Sequence, residues 1–440
     1  MPDVLAILRE ENSMLCYRRI AITILIFAGL GYISRTSQAQ SFGVELNNAL
    51  MPASGGMAGT SIARPQDLTS ALNGNPAAIT QFRGTQFLFG GAWAEPTFNL
   101  TQTAPIGPPI FVNPPLIDAF PTAKSTAPGI PAGNIGVTQE LSAYGLPITV
   151  GMGFITSAGG MVDLRNVPAS CGTNSGMAIF SMPVTLGVQV TDRLSLGATG
   201  AMGIAFFDGP FVGVGGMTTD YALRGTLGAN YQLTDFTTLG AYYQTEQSFR
   251  FDNAFILNPG PNQIATDVNM QLPQNFGFGL ANNTLMDGQL LLAVDVLYKN
   301  WDNADLYKSV YDNQWVVQLG SQYTMGNYRL RAGYAWAQNP LDANPGPNLG
   351  GVIEPGGLPA VRYTQGLLAI TSQHRISAGI GMTDVLPGVD MDLMAGGMFR
   401  DNEQLGSATQ TSIQSYWVGF GLTWRFGRGS CGNSECATDE

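Results

Sequence analysis

His374 is the one imidazole in the chain, so acid–base or nucleophilic chemistry of the Ser–His or Cys–His kind has a single candidate base. It shares an alternation face with Ile376 and Ile380, which turns it toward apolar surroundings, and no serine stands in a Gly-x-Ser-x-Gly elbow. A lipid-modifying enzyme is therefore kept only as an alternative. Cys16, Cys171, Cys431 and Cys436 lack zinc-ligand spacing, so neither a metal site nor a cofactor is expected. What remains is ionic. Arg224, Arg250, Asp295, Lys299, Arg329, Arg331, Arg375, Asp390, Asp392 and Arg400 recur on the polar faces of alternating segments. Pairing with one another, or with the chain that precedes the strands, is the plain reading of such charges. The sharper one has Lys299 or Arg329 meeting the carboxylate of a ligand.

Those charges need strands to position them. From about Gln86 onward apolar and polar residues alternate with period 2. Trp315, Val317, Leu319, Tyr323 and Met325 share one face, opposite Gln318, Gly320, Gln322 and Thr324. Tyr416, Val418, Phe420, Leu422, Trp424 and Phe426 repeat the pattern near the end. Fourteen such segments fall near 85–99, 134–146, 148–158, 174–191, 193–208, 219–233, 236–252, 269–283, 288–302, 311–325, 328–338, 371–384, 388–402 and 411–426. Short connections near Pro147, Asp192, Asp235, Asp287, Gly326 and Pro387 alternate with long ones, notably 100–133 and 339–370. An even number of long strands, with short turns on one side and long loops on the other, predicts an all-β transmembrane antiparallel barrel. A soluble all-β protein would use strands of about five or six residues.

Composition agrees. Only 12% of the residues are charged while 45% are hydrophobic, against about 25% charged in ordinary soluble domains. No run reaches the roughly 18 apolar residues of a helical span. The one apolar run, Ile20 to Ile33, follows Arg18-Arg19 and precedes Ser37-Gln38-Ala39, which predicts a secretory signal over 1–39 with Met14 as the initiator. The remaining chain carries 16 basic and 28 acidic residues, net −12, which argues against nucleic acid as a partner. Cys431 and Cys436 are spaced for a small loop disulfide in an oxidising compartment.

Residues 41–83 do not alternate. They run Pro52-Ala53-Ser54-Gly55-Gly56-Met57-Ala58-Gly59-Thr60, then Asp67-Leu68-Thr69-Ser70-Ala71, then Asn75-Pro76-Ala77-Ala78-Ile79, small residues suited to close packing inside a lumen. In this order, ahead of a barrel, they resemble the N-terminal hatch of the FadL outer-membrane transport family. Leu272-Pro273 before Phe276-Gly277-Phe278-Gly279-Leu280, Ala293-Val294-Asp295-Val296 before Trp301, Leu330-Arg331-Ala332-Gly333-Tyr334-Ala335 before Pro340, and His374 to Gly381 are similar as well.

With the signal over 1–39 set aside, the resemblance implies a hatch over 40–83 and a barrel of about fourteen strands over 84–426, and a polar tail over 427–440 follows it. The resemblance implies a multi-pass protein of the cell outer membrane that takes up long-chain fatty acids or other hydrophobic compounds passively. Its partners would be that ligand, outer-membrane lipid and the barrel assembly machinery. The tail after Phe426 departs from the family, whose barrels end on a terminal aromatic residue read during assembly. Asn75, Pro76 and Ala77 are expected to serve hatch structure and gating. Apolar loop residues such as Phe111 and Ile117 suit either ligand capture or packing of the loops against one another. A sixteen-carbon chain gains roughly 0.8 kcal/mol per buried methylene, on the order of 10 kcal/mol before entropy costs, which an open aqueous pore does not offer. A hydrophilic diffusion porin is the other reading, and it would need a lumen without a plug.

Overall fold

A computed structural model describes residues 45–107, 117–208, 217–257, 264–349, 352–353, 357–369 and 372–426. In chain order the strands are β1 Thr85–Gln102, β2 Phe120–Lys124, β3 Ile130–Glu140, β4 Ile148–Asp163, β5 Asn174–Gln189, β6 Leu194–Asp208 and β7 Thr218–Thr234. They continue with β8 Thr237–Gln244, β9 Gln247–Leu257, β10 Ile264–Leu272, β11 Gln274–Leu285, β12 Leu290–Asn300 and β13 Gln314–Met325. The last are β14 Tyr328–Ala337, β15 Asn348–Leu349, β16 Val352–Ile353, β17 His374–Leu386, β18 Val389–Leu405 and β19 Thr409–Phe426. Fourteen of them, all but β2, β9, β10, β15 and β16, form one antiparallel wall. The wall closes where β19 pairs with β1, from Thr85↔Phe426 to Gln102↔Thr409. Closure leaves no free edge, so the backbone groups of every wall strand find partners on both sides.

The alternation read in the sequence is what orients these strands. On β13, Trp315 and Leu319 face outward and are 48% and 42% exposed, while Gln318 between them is 3% exposed and faces the lumen. Aromatic rings form a row along adjacent outer faces: Tyr243 contacts Phe276, Phe276 contacts Tyr298, and Tyr298 contacts Trp315, at 5.0, 6.4 and 4.9 Å between ring centres. On the opposite margin Phe87 meets Trp424 at 5.7 Å. Bands of this kind at two heights are what a barrel needs at the two faces of a bilayer.

One end of the barrel carries tight turns, for example Gly326-Asn327 between β13 and β14, where Gly326 takes a φ of 57° that other residues resist. The other end carries the long loops, which fold over the mouth. There the helix Gly357–Leu367 packs Tyr363 and Leu367 against Phe98, Leu100, Ile106, Ile117 and Phe120. A second apolar cluster joins Phe207, Phe249, Phe251, Met270, Trp301, Tyr307 and Tyr311.

Several strand boundaries differ from the expected ones, and the segment expected over 269–283 is divided at Pro273 between β10, which ends at Leu272, and β11, which begins at Gln274. The segment expected over 134–146 ends at Glu140, because a 3-10 turn over Ser142–Tyr144 and Gly145, with φ 76°, reverse the chain before Pro147. The segment expected over 236–252 is two strands. β8 stays in the wall, whereas β9 leaves it after Thr245-Glu246 to pair with β10, and Pro273, which has no N–H to give a ladder, marks the return to β11. Arg250 therefore lies outside, on the exposed face of that hairpin, and not in the lumen. Arg400 is exposed too, because a bulge between Met398 and Asp401 interrupts the alternation of β18. Cys171 sits exposed after the 3-10 turn Pro168–Ser170. Phe111, the tail after Phe426, Cys431, Cys436 and the expected signal segment lie outside the described residues.

Candidate functional site

The chain from Glu45 to Phe82 lies within the lumen and blocks it. Its frame is Asp67, which caps the helix Leu68–Asn73: Oδ1 accepts from Ser70 N and Oγ, and from Thr69 Oγ1. Oδ2 accepts from the N–H groups of Ala53 and Ser54, so one carboxylate ties the small-residue turn to the helix. Leu68, Leu72 and Ile79 then pack on Leu88 and Ile155 of the wall. Close approach depends on wall glycines facing inward. A Cβ on Gly333 would stand 2.2 Å from the carbonyl carbon of Met57, and one on Gly197 would stand 2.4 Å from that of Pro76.

Asn75, Pro76 and Ala77 form a seam between hatch and wall. Asn75 Nδ2 donates to Ile62 O at 2.9 Å, to Asn230 Oδ1 at 2.8 Å and to Ala229 O at 3.2 Å. Its Oδ1 accepts from Ala77 N at 3.1 Å, with Pro76 fixing the first position of the 3-10 turn between them. Ser195 Oγ donates to Ala77 O at 3.1 Å. Farther round the lumen, Asp295 of β12 accepts from Ser61 N at 2.6 Å and Ile62 N at 2.9 Å, while Gln318 Nε2 donates to Ala58 O at 2.8 Å.

On the long-loop side of the hatch stands an ionic cluster. Glu45 accepts from Lys299 Nζ at 2.5 Å, from Arg224 Nη1 at 2.8 Å and from Asn275 Nδ2 at 3.0 Å. Burial by itself would raise the carboxyl of Glu45, a hatch residue outside the wall strands. The charges of Lys299 and Arg224, and their hydrogen bonds, overcome that and hold it at about 2. Glu45 also bridges to Ala158 of β4, next to a bulge between Thr156 and Ala158. Beside it a cavity of about 10 Å³ is lined by Lys299, Arg375, Trp301 and Tyr311. Tyr307 and Tyr311 stack on each other over this level with Trp301 edge-on to both, and burial pushes both phenols above their ordinary value, so they remain neutral.

Lys299 is thus paired with the hatch. Arg329 lies at the other end of the lumen, 3.7 Å from Asp390, and lines a polar vestibule of about 740 Å³ beside the short turns, with Arg64, Gln81 and Arg193. Ile117 is buried in the loop cluster under the helix Gly357–Leu367. Arg331 pairs with Asp392 at 2.5 Å, deep in the wall. Sequence reasoning missed Glu45. The signal available was that it is the one acidic residue between 40 and 66.

No family model matches the chain, nor does any curated protein. Solved structures do match in fold. The Pseudomonas putida toluene transporter TodX superposes with a TM-score of 0.61 at 16% identity, covering 89% of this chain and 100% of that one. The Ralstonia pickettii toluene transporter TbuX gives 0.59 at 15% identity, with 89% and 100% covered. A Pseudomonas aeruginosa FadL homologue gives 0.59 at 14% identity, again with 89% and 100% covered. The chain is a closed fourteen-strand antiparallel barrel with its N-terminal segment in the lumen, the fold of this FadL homologue and of the two toluene transporters.

Proposed function

We propose that the protein is an outer-membrane channel for passive uptake of long-chain fatty acids or other hydrophobic small molecules. The observation that carries this reading is the stacking order within the barrel. Apolar clusters with Trp301, Tyr307, Phe249 and Tyr363 lie at the long-loop mouth, the hatch closes the middle, and a polar vestibule lies at the short-turn end. Apolar surface at one mouth recovers the free energy of moving a lipophile out of water, which a water-filled pore cannot do. The toluene transporters and the FadL homologue that share the fold support the same reading. A hydrophilic porin is disfavoured because the segment Glu45 to Phe82 occupies the lumen.

In this reading residues 1–39 direct export, 40–83 are the hatch, 84–426 span the outer membrane and 427–440 form a tail, with the short turns facing the periplasm. Phe111 would belong to the outer capture surface, and Ile117, buried beneath the helix Gly357–Leu367, would pack the loops that carry it. Lys299 would meet an acidic ligand when Glu45 lets go of it, and Asn75, Pro76 and Ala77 would set how readily the hatch moves. Outer-membrane lipid and the barrel assembly machinery are the remaining partners.

The test is uptake of labelled palmitate and labelled toluene by a diderm bacterium lacking such channels, with and without this protein. Uptake of either above a folded-barrel control supports the proposal. Uptake of neither, with the protein folded in the outer membrane, rejects it.

A further inference from the structure

We propose that the chain supplies its own second stopper: residues 427–440 turn back into the vestibule at the short-turn end, where their carboxylates meet Arg64 and Arg193. This goes beyond the channel reading and does not depend on which compound passes. The vestibule, at about 740 Å³, has the size of a pocket that encloses a ligand, roughly 300–1,000 Å³. Its amides and hydroxyls would suit any wet mouth, but its charge would not. Four guanidinium groups, of Arg64, Arg83, Arg193 and Arg329, line it against two carboxylates, Asp192 and Asp235, which stand in the turns before β6 and β8. The lining is thus net +2 in a chain of net −11. Arg83 is paired with Glu140 and Arg329 with Asp390. Among the described residues no carboxylate lies within ion-pair distance of Arg64 or Arg193, and Arg64 Nη1 donates only to Asn283 Oδ1, at 3.0 Å. Two such cations in a concave polar site attract an anion.

The sequence holds one close by. β19 ends at Phe426, which pairs with Thr85, two residues beyond Arg83 of the lining. Arg425 beside it shares Asp390 with Arg329 of the lining, at 3.0 and 3.7 Å. The chain that follows therefore starts at the edge of the vestibule. Gly427 to Glu440 carries Glu435, Asp439 and Glu440 against the single base Arg428, and its other residues are Gly, Ser, Asn, Thr, Ala and Cys. Its net −2 matches the lining, and small polar side chains suit a wall of amides. The stretch from Phe426 to Glu435 spans up to about 30 Å when extended, enough to cross a cavity of this volume. Arg64 belongs to the hatch and Arg193 to the turn before β6, so a tail bound to both ties the hatch to the wall. A compound leaving by this end has to displace it.

The test is zero-length carbodiimide cross-linking, which joins a carboxylate to an amine in contact with it, on full-length protein in membranes, with the links mapped by mass spectrometry. Arg64→Lys and Arg193→Lys each supply one amine. Arg83→Lys is the control, since its link to Glu140 shows that the reaction works at this end of the barrel. Folding is checked by heat-modifiable mobility on a gel. Positions 64 and 193 are expected to join Glu435, Asp439 or Glu440, with a severalfold lower yield in about 0.5 M salt, because exposed ion pairs are screened. Access is read separately in Thr324→Cys, on the wall of the vestibule, as the rate at which a sulfonate-bearing thiol reagent modifies position 324, resolved by peptide mass from the native cysteines. Combining Glu435→Gln, Asp439→Asn and Glu440→Gln should raise that rate severalfold. Links from positions 64 and 193 to Asp192 or Asp235 alone, or no link while position 83 joins Glu140, overturn the proposal. So does a rate at position 324 that the tail substitutions leave unchanged, and that rate decides alone where a Lys variant does not fold.

Discussion

Arg224 gives one guanidinium nitrogen to Glu45, at 2.8 Å, and spends the others on the base of the long-loop hairpin. Its Nη2 donates to Pro273 O at 2.6 Å and its Nε to Thr245 O at 2.8 Å, the two points at which the hairpin of β9 and β10 leaves the wall. One side chain therefore ties the hatch to a loop that carries Phe249, Phe251 and Met270 into the apolar mouth. Rearrangement of that loop and release of the hatch share a set of hydrogen bonds.

Replacing Arg224 with Gln should loosen both partners together. Amide exchange is expected to speed up in residues 45–62 and also in 247–272, while the wall strands stay protected. Faster exchange in the hatch alone would mean that the shared guanidinium does not couple the two.

Asp295, four residues along β12 from Lys299, should anchor a second stretch of the hatch. Its carboxyl group accepts the N–H groups of Ser61 and Ile62 at one oxygen, and leaving a buried donor without its partner costs about 1–3 kcal/mol. Asp295→Ala leaves both N–H groups buried and unpaired, so the hatch should open more often, seen as added conductance steps in planar bilayers. Asp295→Asn should give a smaller increase, since the amide oxygen still accepts. A closed trace for Asp295→Ala would remove this residue from the seal.

Gly333 offers a steric test that involves no charge. A methyl group there would sit 2.2 Å from the backbone of Met57, which cannot give way without unseating the turn Ser54–Met57. Gly333→Ala should therefore expose the hatch to protease while the barrel stays folded. Gly133→Ala, where nothing lies within 4 Å of the added carbon, should behave as wild type. Equal protection of the hatch in the two variants would show that close approach at Gly333 does not matter.

The wall was legible in the sequence because a barrel strand has one face in lipid and one in the lumen, so residues such as Trp315 and Gln318 announce opposite sides. The break between β8 and β9 was not. The hairpin also buries one face, through Phe249 and Phe251, so the period-2 pattern runs on across Thr245-Glu246 and gives no sign that the chain has left the wall. Arg250 was carried to the wrong side by that continuity. The hatch could be read from its small residues and from the Asp67 and Asn75 motifs, whose partners include close neighbours such as Ser70 and Ala77. Glu45 is of another kind. Its partners Arg224 and Lys299 lie 179 and 254 residues away, and no local pattern encodes a contact made only when the barrel closes.

Glu45 also makes the seal depend on acidity, with a definite sign. In the folded protein its carboxyl titrates at about 2, against 4.5 for the free group, because Lys299 and Arg224 outweigh the effect of burial. A depressed folded value means that the contribution to stability is complete above pH 4.5 and is lost as pH falls toward 2. The groups facing it, Lys299, Arg224, Asn275 and the nearby Arg375, carry no acid that would titrate in the same window. The difference corresponds to about 3 kcal/mol, enough to change the population of a displaced hatch more than a hundredfold. Pepsin works across this range and reads the effect directly. Cleavage within residues 45–83 should stay slow at pH 4.5 and accelerate steeply as pH approaches 2. Glu45→Gln should be cut faster than wild type at pH 4.5 and show little further change on acidification. Wild-type protection that holds unchanged down to pH 2 would mean that the cluster of Glu45, Lys299 and Arg224 does not keep the hatch in place.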